Sequence, residues 1–144
     1  MNAEVNIDIV DWLDSKDVLR SIRKSVFIDE QRVPEELEWD GRDMECTQFL
    51  ATIDSTPVAS ARLTPQGQIG RMAVVRDFRG RGIGSELLIS VLRQAKLAGY
   101  TQVFLHAQEN VIPFYERHGF TAEGDVFMDA GIRHRNMRMD LDRN

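Results

Sequence analysis

The sequence has little cysteine, no excess of positive charge and no long apolar run, and each shortage excludes a class of protein. The single cysteine, Cys46, cannot form an internal disulfide, which fits a reducing compartment. Its 18 lysines and arginines are outnumbered by 23 aspartates and glutamates, whereas a nonspecific nucleic-acid binder needs a basic face. No apolar run approaches the roughly 20 residues of a membrane span. We therefore expect a cytoplasmic protein whose partners are neither a membrane nor a nucleic acid.

Two further absences concern metals and domain boundaries. No cluster of cysteine and histidine has the spacing of zinc ligands, so we expect no metal. No internal repeat, low-complexity segment or flexible linker divides the chain. A length of 144 residues and a hydrophobic content of 42% are ordinary for one globular domain with its own core. We expect a single domain over residues 1–144.

Alternating apolar residues predict the strands, and apolar residues at helical spacing predict the helices. A first helix is expected to begin at a cap on Asp14 or Ser15, and a later one is expected to end at Gly99. Asn110 is expected to cap a last helix, which ends at Gly119. Strands are expected at residues 5–9, 48–53, 58–63, 68–75, 101–106 and 137–141. This order indicates an α/β (α+β) fold, with helices on both faces of a mixed, mainly antiparallel sheet.

A glycine-rich turn, RGRGIGS at residues 79–85, lies between a predicted strand and a strongly amphipathic helix. Glycine lets a ligand approach the main chain, and the first amides of a helix are unpaired and partly positive. A P-loop would need a lysine before Ser85, and the dinucleotide fingerprint would need a glycine in its place, so neither fits. A tight turn without a ligand is the plain alternative, but the position before a long helix favours a phosphate site.

The turn resembles the phosphate-binding signature of the GNAT superfamily of acyl-CoA-dependent N-acyltransferases, R/Q-x-x-G-x-G/A. Downstream, NVIPFYERHGF at residues 110–120 resembles the second motif of that family, with Pro113 at a position that is usually alanine-like. Residues 23–34, followed by Glu38 and Asp40, are similar to the ElaA-like subgroup, as are residues 131–134 and Met137. The resemblance extends from about residue 49 to the C-terminus, and the two motifs at this separation are specific together.

The resemblance implies a GNAT fold, acetyl-CoA as co-substrate and a bulged strand that pairs with its pantetheine arm. Tyr115 would be the general acid, because a phenol with an ordinary pKa of about 10 stays protonated at neutral pH and can donate to a thiolate. Without the resemblance, a packing role for Tyr115 beside Phe114 on the helix is the favoured interpretation. The cofactor-binding residues implied are Met72, Ala73, Val74, Arg79, Gly80, Arg81, Gly82, Ile83, Gly84, Ser85, Asn110, Phe114 and Tyr115.

The general base and the acceptor site stay open among several candidates. Glu30 ranks first as the base, ahead of His106, His134 and Glu109, and a water relay without a dedicated base is a further alternative. Glu30, His106 and His134 are the expected substrate-binding residues. Residues 29–45 carry eight acidic side chains and two arginines, a net charge of −6. This acidic stretch is either a solvated loop or a lid that attracts a cationic amine.

The expected function is transfer of an acetyl group from acetyl-CoA to a primary amine of a small molecule or peptide, by direct attack. The alternatives are a non-catalytic acyl-CoA sensor with the same fold, an enzyme like the acyl-homoserine-lactone synthases, and RNA binding by the Arg/Gly run. The short run and the negative net charge disfavour RNA binding. Both a monomer and a homodimer are compatible with the sequence.

Overall fold

The computed structural model describes residues 4–141. Within these residues, seven strands and four α-helices follow one another, and a π-helical segment, Lys24–Glu30, continues the first helix. The strands are β1 Val5–Val10, β2 Thr47–Ile53, β3 Thr56–Leu63, β4 Ile69–Val74, β5 Gln102–Gln108, β6 Thr121–Asp129 and β7 Ile132–Asp140. The helices are α1 Trp12–Arg23, α2 Glu35–Glu38, α3 Ile83–Leu97 and α4 Ile112–Arg117. Within residues 4–141, no helix is long and apolar enough to cross a membrane.

The strands form two antiparallel sheets that meet at one point. One sheet has the order β1-β2-β3-β4 and the other the order β5-β7-β6. The meeting point is a parallel bridge between Gln68 and Phe104, where the Phe104 amide donates to the Gly67 carbonyl at 3.0 Å. Beyond this bridge, β4 and β5 run in the same direction without a described ladder between them. The two strands therefore form the arms of a cleft.

Helices cover both faces of the first sheet, as the sequence predicts. The buried residues of α3 follow one stripe, from Ile83 through Leu87 and Leu88 to Val91, and join a core with β2, β3 and β5. On the opposite face, Ile22 and Val26 pack on Ala73 of β4. The mainly antiparallel α+β architecture is therefore confirmed.

The predicted helix ends are confirmed at the C-termini and wrong at the N-termini. Gly99 and Gly119 lie in the left-handed region, with φ of 89° and 97°, and close α3 and α4. Asp11 caps α1 instead of Asp14 or Ser15, because its extended backbone lets its carboxylate accept from the Asp14 amide at 3.2 Å. Asn110 does not cap α4 either. It lies within a separate 3₁₀ turn, Glu109–Val111, so Val111 precedes the helix.

Candidate active site

The cleft between β4 and β5 has a volume of about 870 Å³. It gathers residues from β4, the glycine-rich turn, the start of α3, β5, α4 and the β6–β7 turn. Of the sequence-predicted site residues it is lined by Glu30, Met72, Ala73, Val74, Arg79, Gly80, Gly82, Ile83, Gly84, Ser85, His106, Asn110, Phe114, Tyr115 and His134. Arg81 is the exception, since its guanidinium lies over the Phe78 ring at 5.0 Å and donates to the Asp77 carbonyl at 3.3 Å.

The glycine-rich turn leaves its backbone open toward the cleft. Gly80 and Gly82 have φ of 78° and 79°, and a Cβ built on either would meet no atom within 4 Å. Gly82 precedes α3, and no side chain caps the helix. The first amides of α3 are therefore free to donate to a ligand, and the positive end of a 15-residue helix points at the same place. This geometry fits the pyrophosphate of coenzyme A.

Gly84 has a different role from its two neighbours. Its φ lies outside the left-handed region, and a Cβ there would lie 3.7 Å from Cζ of Phe114 and 3.8 Å from Cγ2 of Val74. A Cβ at this position would therefore make ordinary van der Waals contacts with α4 and β4. Unlike the open space beside Gly80 and Gly82, the space beside Gly84 is therefore lined by side chains of the protein itself.

Glu30 is paired with Arg79 and is a poor candidate for the general base. Nη1 of Arg79 lies 2.6 Å from Oε2 of Glu30, and Nη2 lies 2.8 Å from Oε1. Arg79 Nε also donates to the Val74 carbonyl at 2.9 Å. The hydrogen bonds from Arg79 lower the pKa of Glu30, with a smaller contribution from the charge of Arg76. A carboxylate with both oxygens engaged and a lowered pKa accepts a proton weakly, which counts against our first choice of base.

The end of the π-helical segment spans the wide end of the cleft. Arg79, which donates to the carbonyl of the last β4 residue, also binds Glu30. On the other arm, Nε2 of Gln108 in β5 donates to Oε1 of Gln31 at 2.9 Å. Two consecutive side chains therefore contact both arms, forming what we call the strap, Glu30 and Gln31. Gln31 lies within the ElaA-like residues 23–34, but no role was predicted for it, and Gln108 was not anticipated because it belongs to no motif.

The bulge implied for β4 is present. Ser60 of β3 pairs with Ala73, but Arg62 pairs with Gly70, so Arg71 and Met72 together face a single β3 residue. Arg71 has φ of 49°, an unusual backbone conformation for a non-glycine residue. A bulge interrupts the ladder and leaves backbone groups without a cross-strand partner. Those groups are available to a ligand in the middle of the cleft.

Tyr115 lies on α4 with its hydroxyl 4.0 Å from Sδ of Met72 on the bulged strand. Its ring packs edge-on against Phe114 and Phe120, with centroid distances of 5.1 and 5.9 Å. Burial raises the pKa of Tyr115 to about 12, so the phenol keeps its proton throughout the neutral range. The packing role and the acid role are therefore compatible. A residue that we missed, His118, supports the same corner, since its Nε2 lies 3.0 Å from Oγ of Ser85.

His106 and His134 lie together on the face of the β5-β7-β6 sheet opposite α3. The Phe127 ring is 5.2 Å from that of His106 and 5.8 Å from that of His134. His134 is buried, with Nδ1 2.7 Å from the Ile132 carbonyl. Burial lowers the pKa of His106, although the charge of Asp129 partly opposes this shift. His106 is therefore mostly neutral at pH 7, the form that can accept a proton.

Most charges of the acidic stretch are neutralised within the protein. Arg23, only 1% exposed, binds Oε2 of Glu38 and Oδ1 of Asp43, both at 2.7 Å. Arg62 binds Asp40 and Asp43. Arg71 lies 3.1 Å from Oε2 of Glu38 and 3.3 Å from Oδ2 of Asp40. The interpretation of residues 29–45 as a lid of free negative charge is therefore wrong.

The carboxylates of Glu38 and Asp43 are paired with arginines because a buried charge requires a partner of opposite charge. We missed this network because its three arginines come from α1, β3 and β4, far apart along the chain. Asp29 and Glu45 also have partners, Lys24 at 3.0 Å and Arg42 at 2.7 Å.

Comparison with known proteins places these features in a family context. Residues 15–141 match the family model described as an acetyltransferase (GNAT) domain. The Bacillus subtilis protein named "Uncharacterized N-acetyltransferase YjcF" is 31% identical over 123 residues, covering 83% of this chain and 88% of that protein.

Two solved structures share the whole architecture. Escherichia coli ElaA superposes with a TM-score of 0.84 at 25% identity, covering 96% of this chain and 99% of that chain. An acyl-CoA N-acyltransferase from Pseudomonas aeruginosa superposes with a TM-score of 0.80 at 27% identity, with the same coverage of both chains.

Proposed function

Because the chain belongs to the GNAT acetyltransferase family, we propose that it transfers the acetyl group of acetyl-CoA to a primary amine of a small molecule or peptide, with Tyr115 as general acid. One observation carries this proposal. A single cleft contains an open anion-binding turn, a bulged strand and a protonated phenol, which are the parts that acyl transfer from a thioester needs.

The cofactor half of the cleft has the shape and donors that coenzyme A requires. The backbone around Gly80 and Gly82 and the first amides of α3 would hold the pyrophosphate. Residues 72–74 of β4 would border the pantetheine arm. Acetyl-CoA, when bound, supplies an acyl thioester, a carbonyl activated toward amines.

The chain's own groups then account for the charges and protons of the reaction. The amine nitrogen forms a bond to the carbonyl carbon, and the carbon–sulfur bond breaks. Backbone donors released by the β4 bulge stabilise the negative charge that develops on the carbonyl oxygen. The Tyr115 hydroxyl gives its proton to the departing sulfur, and the proton lost by nitrogen goes to His106, directly or through water.

We assign the base to His106 in place of Glu30 because of charge and position. His106 lines the cleft and is neutral near pH 7, whereas Glu30 is engaged by Arg79. His134 is buried on the same sheet face and supports the ring of Phe127 against which His106 packs. A cytoplasmic location and a monomeric or homodimeric state remain predictions from the sequence.

The test is amine-dependent thiol release from acetyl-CoA, measured over a panel of primary amines, with calorimetry of coenzyme A binding alongside. The proposal expects saturable binding of coenzyme A and release that depends on the amine. Binding of coenzyme A without release for any amine would instead identify an acyl-CoA sensor.

A further inference from the structure

Gly70 is a glycine that neither the backbone nor the packing requires. Its φ lies outside the left-handed region, so other residues can adopt its conformation. A Cβ built on Gly70 would meet no atom within 4 Å. Gly84 also has an ordinary φ, but a Cβ there would contact Phe114 and Val74, so no open space lies beside it. The open space beside Gly70 therefore has no explanation within the described protein.

The position of Gly70 places that space at the narrow end of the cleft. Gln68, directly before β4, bridges Phe104 of β5, and the two strands run in the same direction. Two residues further along each strand, Gly70 and His106 come to matching positions on the two arms. Gly70 also immediately precedes the bulge at Arg71, whose neighbourhood would stabilise the thioester carbonyl.

The strap leaves only part of this face open. Glu30 and Gln31 bridge the arms at the wide end, through Arg79 and Gln108. The bridge between Gln68 and Phe104 closes the other end. A molecule that approaches from the face of the π-helical segment therefore reaches the middle of the cleft between these two closures, beside Gly70 and His106.

The lining of this opening fits an amine with an apolar body. Phe27, Val33 and Leu37 contribute apolar side chains from the π-helical segment, the loop that follows it and α2, and Leu37 is 52% exposed. Glu38 and Arg71 line the same region, but they neutralise each other. Asp129 is the one lining carboxylate without an ion pair within residues 4–141, so the site offers a single negative charge.

We propose that the acceptor enters its site through the open space beside Gly70. We further propose that the acceptor is a primary monoamine with an apolar or aromatic substituent. The missing side chain leaves the space that the amine crosses to reach the carbonyl carbon. This inference rests on the proposed function, because it names the acceptor of the same reaction. A polyamine would place additional positive charge in the cleft, whose described lining has no second carboxylate without an ion pair, and is therefore a poorer acceptor.

The experiment compares Gly70→Ala and Gly70→Val with the wild-type protein on an aryl-alkyl amine such as phenethylamine, a simple alkylamine and a polyamine such as spermidine. We expect kcat/KM for phenethylamine to fall about tenfold or more in Gly70→Ala and further in Gly70→Val, as for a methyl group added to a tight pocket. The fall should be smaller for the slimmer alkylamine. Binding of coenzyme A by calorimetry and the thermal midpoint should not change in Gly70→Ala, because the added Cβ meets no protein atom within 4 Å.

Gly84→Ala is the matched control, since it adds the same methyl group on the cofactor side. It should leave the ranking of the three amines unchanged, whereas Gly70→Val should alter it. If Gly70→Val and the wild type have the same kcat/KM for each of the three amines, the proposed role of Gly70 is overturned, although the enzyme is still an acetyltransferase. Preference of the wild type for spermidine would overturn the acceptor class. Failure of the wild type to release thiol with any amine would instead overturn the proposed function, and this inference with it.

Discussion

Two charged segments border the cleft, the glycine-rich turn at residues 79–85 and the acidic stretch at residues 29–45. In the turn, the arginine side chains are occupied, with Arg79 on Glu30 and Arg81 on Phe78, yet the amides of Gly80 and Gly82 donate no hydrogen bond within residues 4–141. In the acidic stretch, the carboxylates are held by arginines from three other elements. The density of charge along a sequence therefore does not identify a ligand site. A ligand site is found where donors or acceptors have no partner in the chain itself.

The acidic stretch therefore contributes mainly to stability, whereas the glycine-rich turn is available for ligand binding. The buried ion network joins α1, β3, β4 and the acidic stretch, and it holds the acidic stretch against these three elements. The turn contributes few internal contacts and leaves its donors for a ligand. Variants in the two segments should consequently fail in different ways.

The largest expected effect is on stability, from breaking the ion network. Arg23→Met leaves Glu38 and Asp43 without their main partner, and removing one member of a buried pair typically costs about 3–5 kcal/mol. Urea denaturation measures the loss. The matched control is Lys24→Met, whose exposed pair with Asp29 should contribute less than about 1 kcal/mol. Equal stabilities for the two variants would mean that the network is not a structural element.

The next effect is on turnover. Tyr115→Phe keeps the ring and its packing but removes the proton, so thiol release should fall by about 10²–10⁴-fold with little change in coenzyme A affinity. Tyr100→Phe is the control, because that hydroxyl donates to the Thr64 carbonyl at 3.3 Å and lies outside the cleft. Normal turnover in Tyr115→Phe, with chemistry shown to be rate-limiting, would remove Tyr115 from the mechanism.

A smaller effect is expected on cofactor affinity. Gly82→Val forces a side chain into the left-handed region and into the space of the pyrophosphate, so the affinity for coenzyme A should fall about tenfold or more. Gly124→Val is a close match, since Gly124 has φ of 77° and equally open surroundings but lies outside the cleft. Calorimetry on both variants separates backbone strain from loss of the ligand site. The same affinity in both would show that the turn does not bind phosphate.

Turnover should decrease at acidic pH only, with no decrease on the alkaline side of the neutral range. Burial lowers the pKa of His106 below its ordinary value of about 6.5, and only the neutral ring accepts a proton. Turnover of an amine that is unprotonated throughout should therefore rise with pH through a pKa below that value and then stay level. With its pKa of about 12, Tyr115 gives no decline in the neutral range. Loss of the acidic limb in His106→Gln checks the assignment, and an unchanged profile would contradict it.

The smallest effect is that of salt. Because the acidic stretch is mostly paired internally, added salt should change kcat/KM for a cationic monoamine by less than about threefold. A steep fall with ionic strength would restore the hypothesis of an attractive acidic lid, and would be measured most simply at fixed, subsaturating amine.

Local features could be predicted from the sequence, and features that depend on distant residues could not. The ends of α3 and α4 at Gly99 and Gly119 follow from backbone preferences within a few residues. The glycine-rich turn was found for the same reason. Asn110 was misplaced because a polar residue near a helix start can cap only if the helix begins directly after it, and a 3₁₀ turn intervenes.

The ion pairs of Glu30 and Glu38 could not be predicted from neighbouring residues. Glu30 meets Arg79 across 49 positions, and Glu38 meets Arg71 across 33. Whether a glutamate acts as a base, a lid or a buried structural ion therefore depends on the fold around it. The bulge at Arg71 was expected only because of the family resemblance, since its position depends on the register of β3 against β4.

The most direct measurement is the initial rate of thiol release from acetyl-CoA by the wild-type protein, as a function of phenethylamine concentration, with the acetylated amine identified by mass spectrometry. We predict a rate that saturates with the amine, and one acetylamide formed for each thiol released. Tight binding of acetyl-CoA with no amine-dependent release would contradict the account, because the open turn would then serve a sensor and not a transferase.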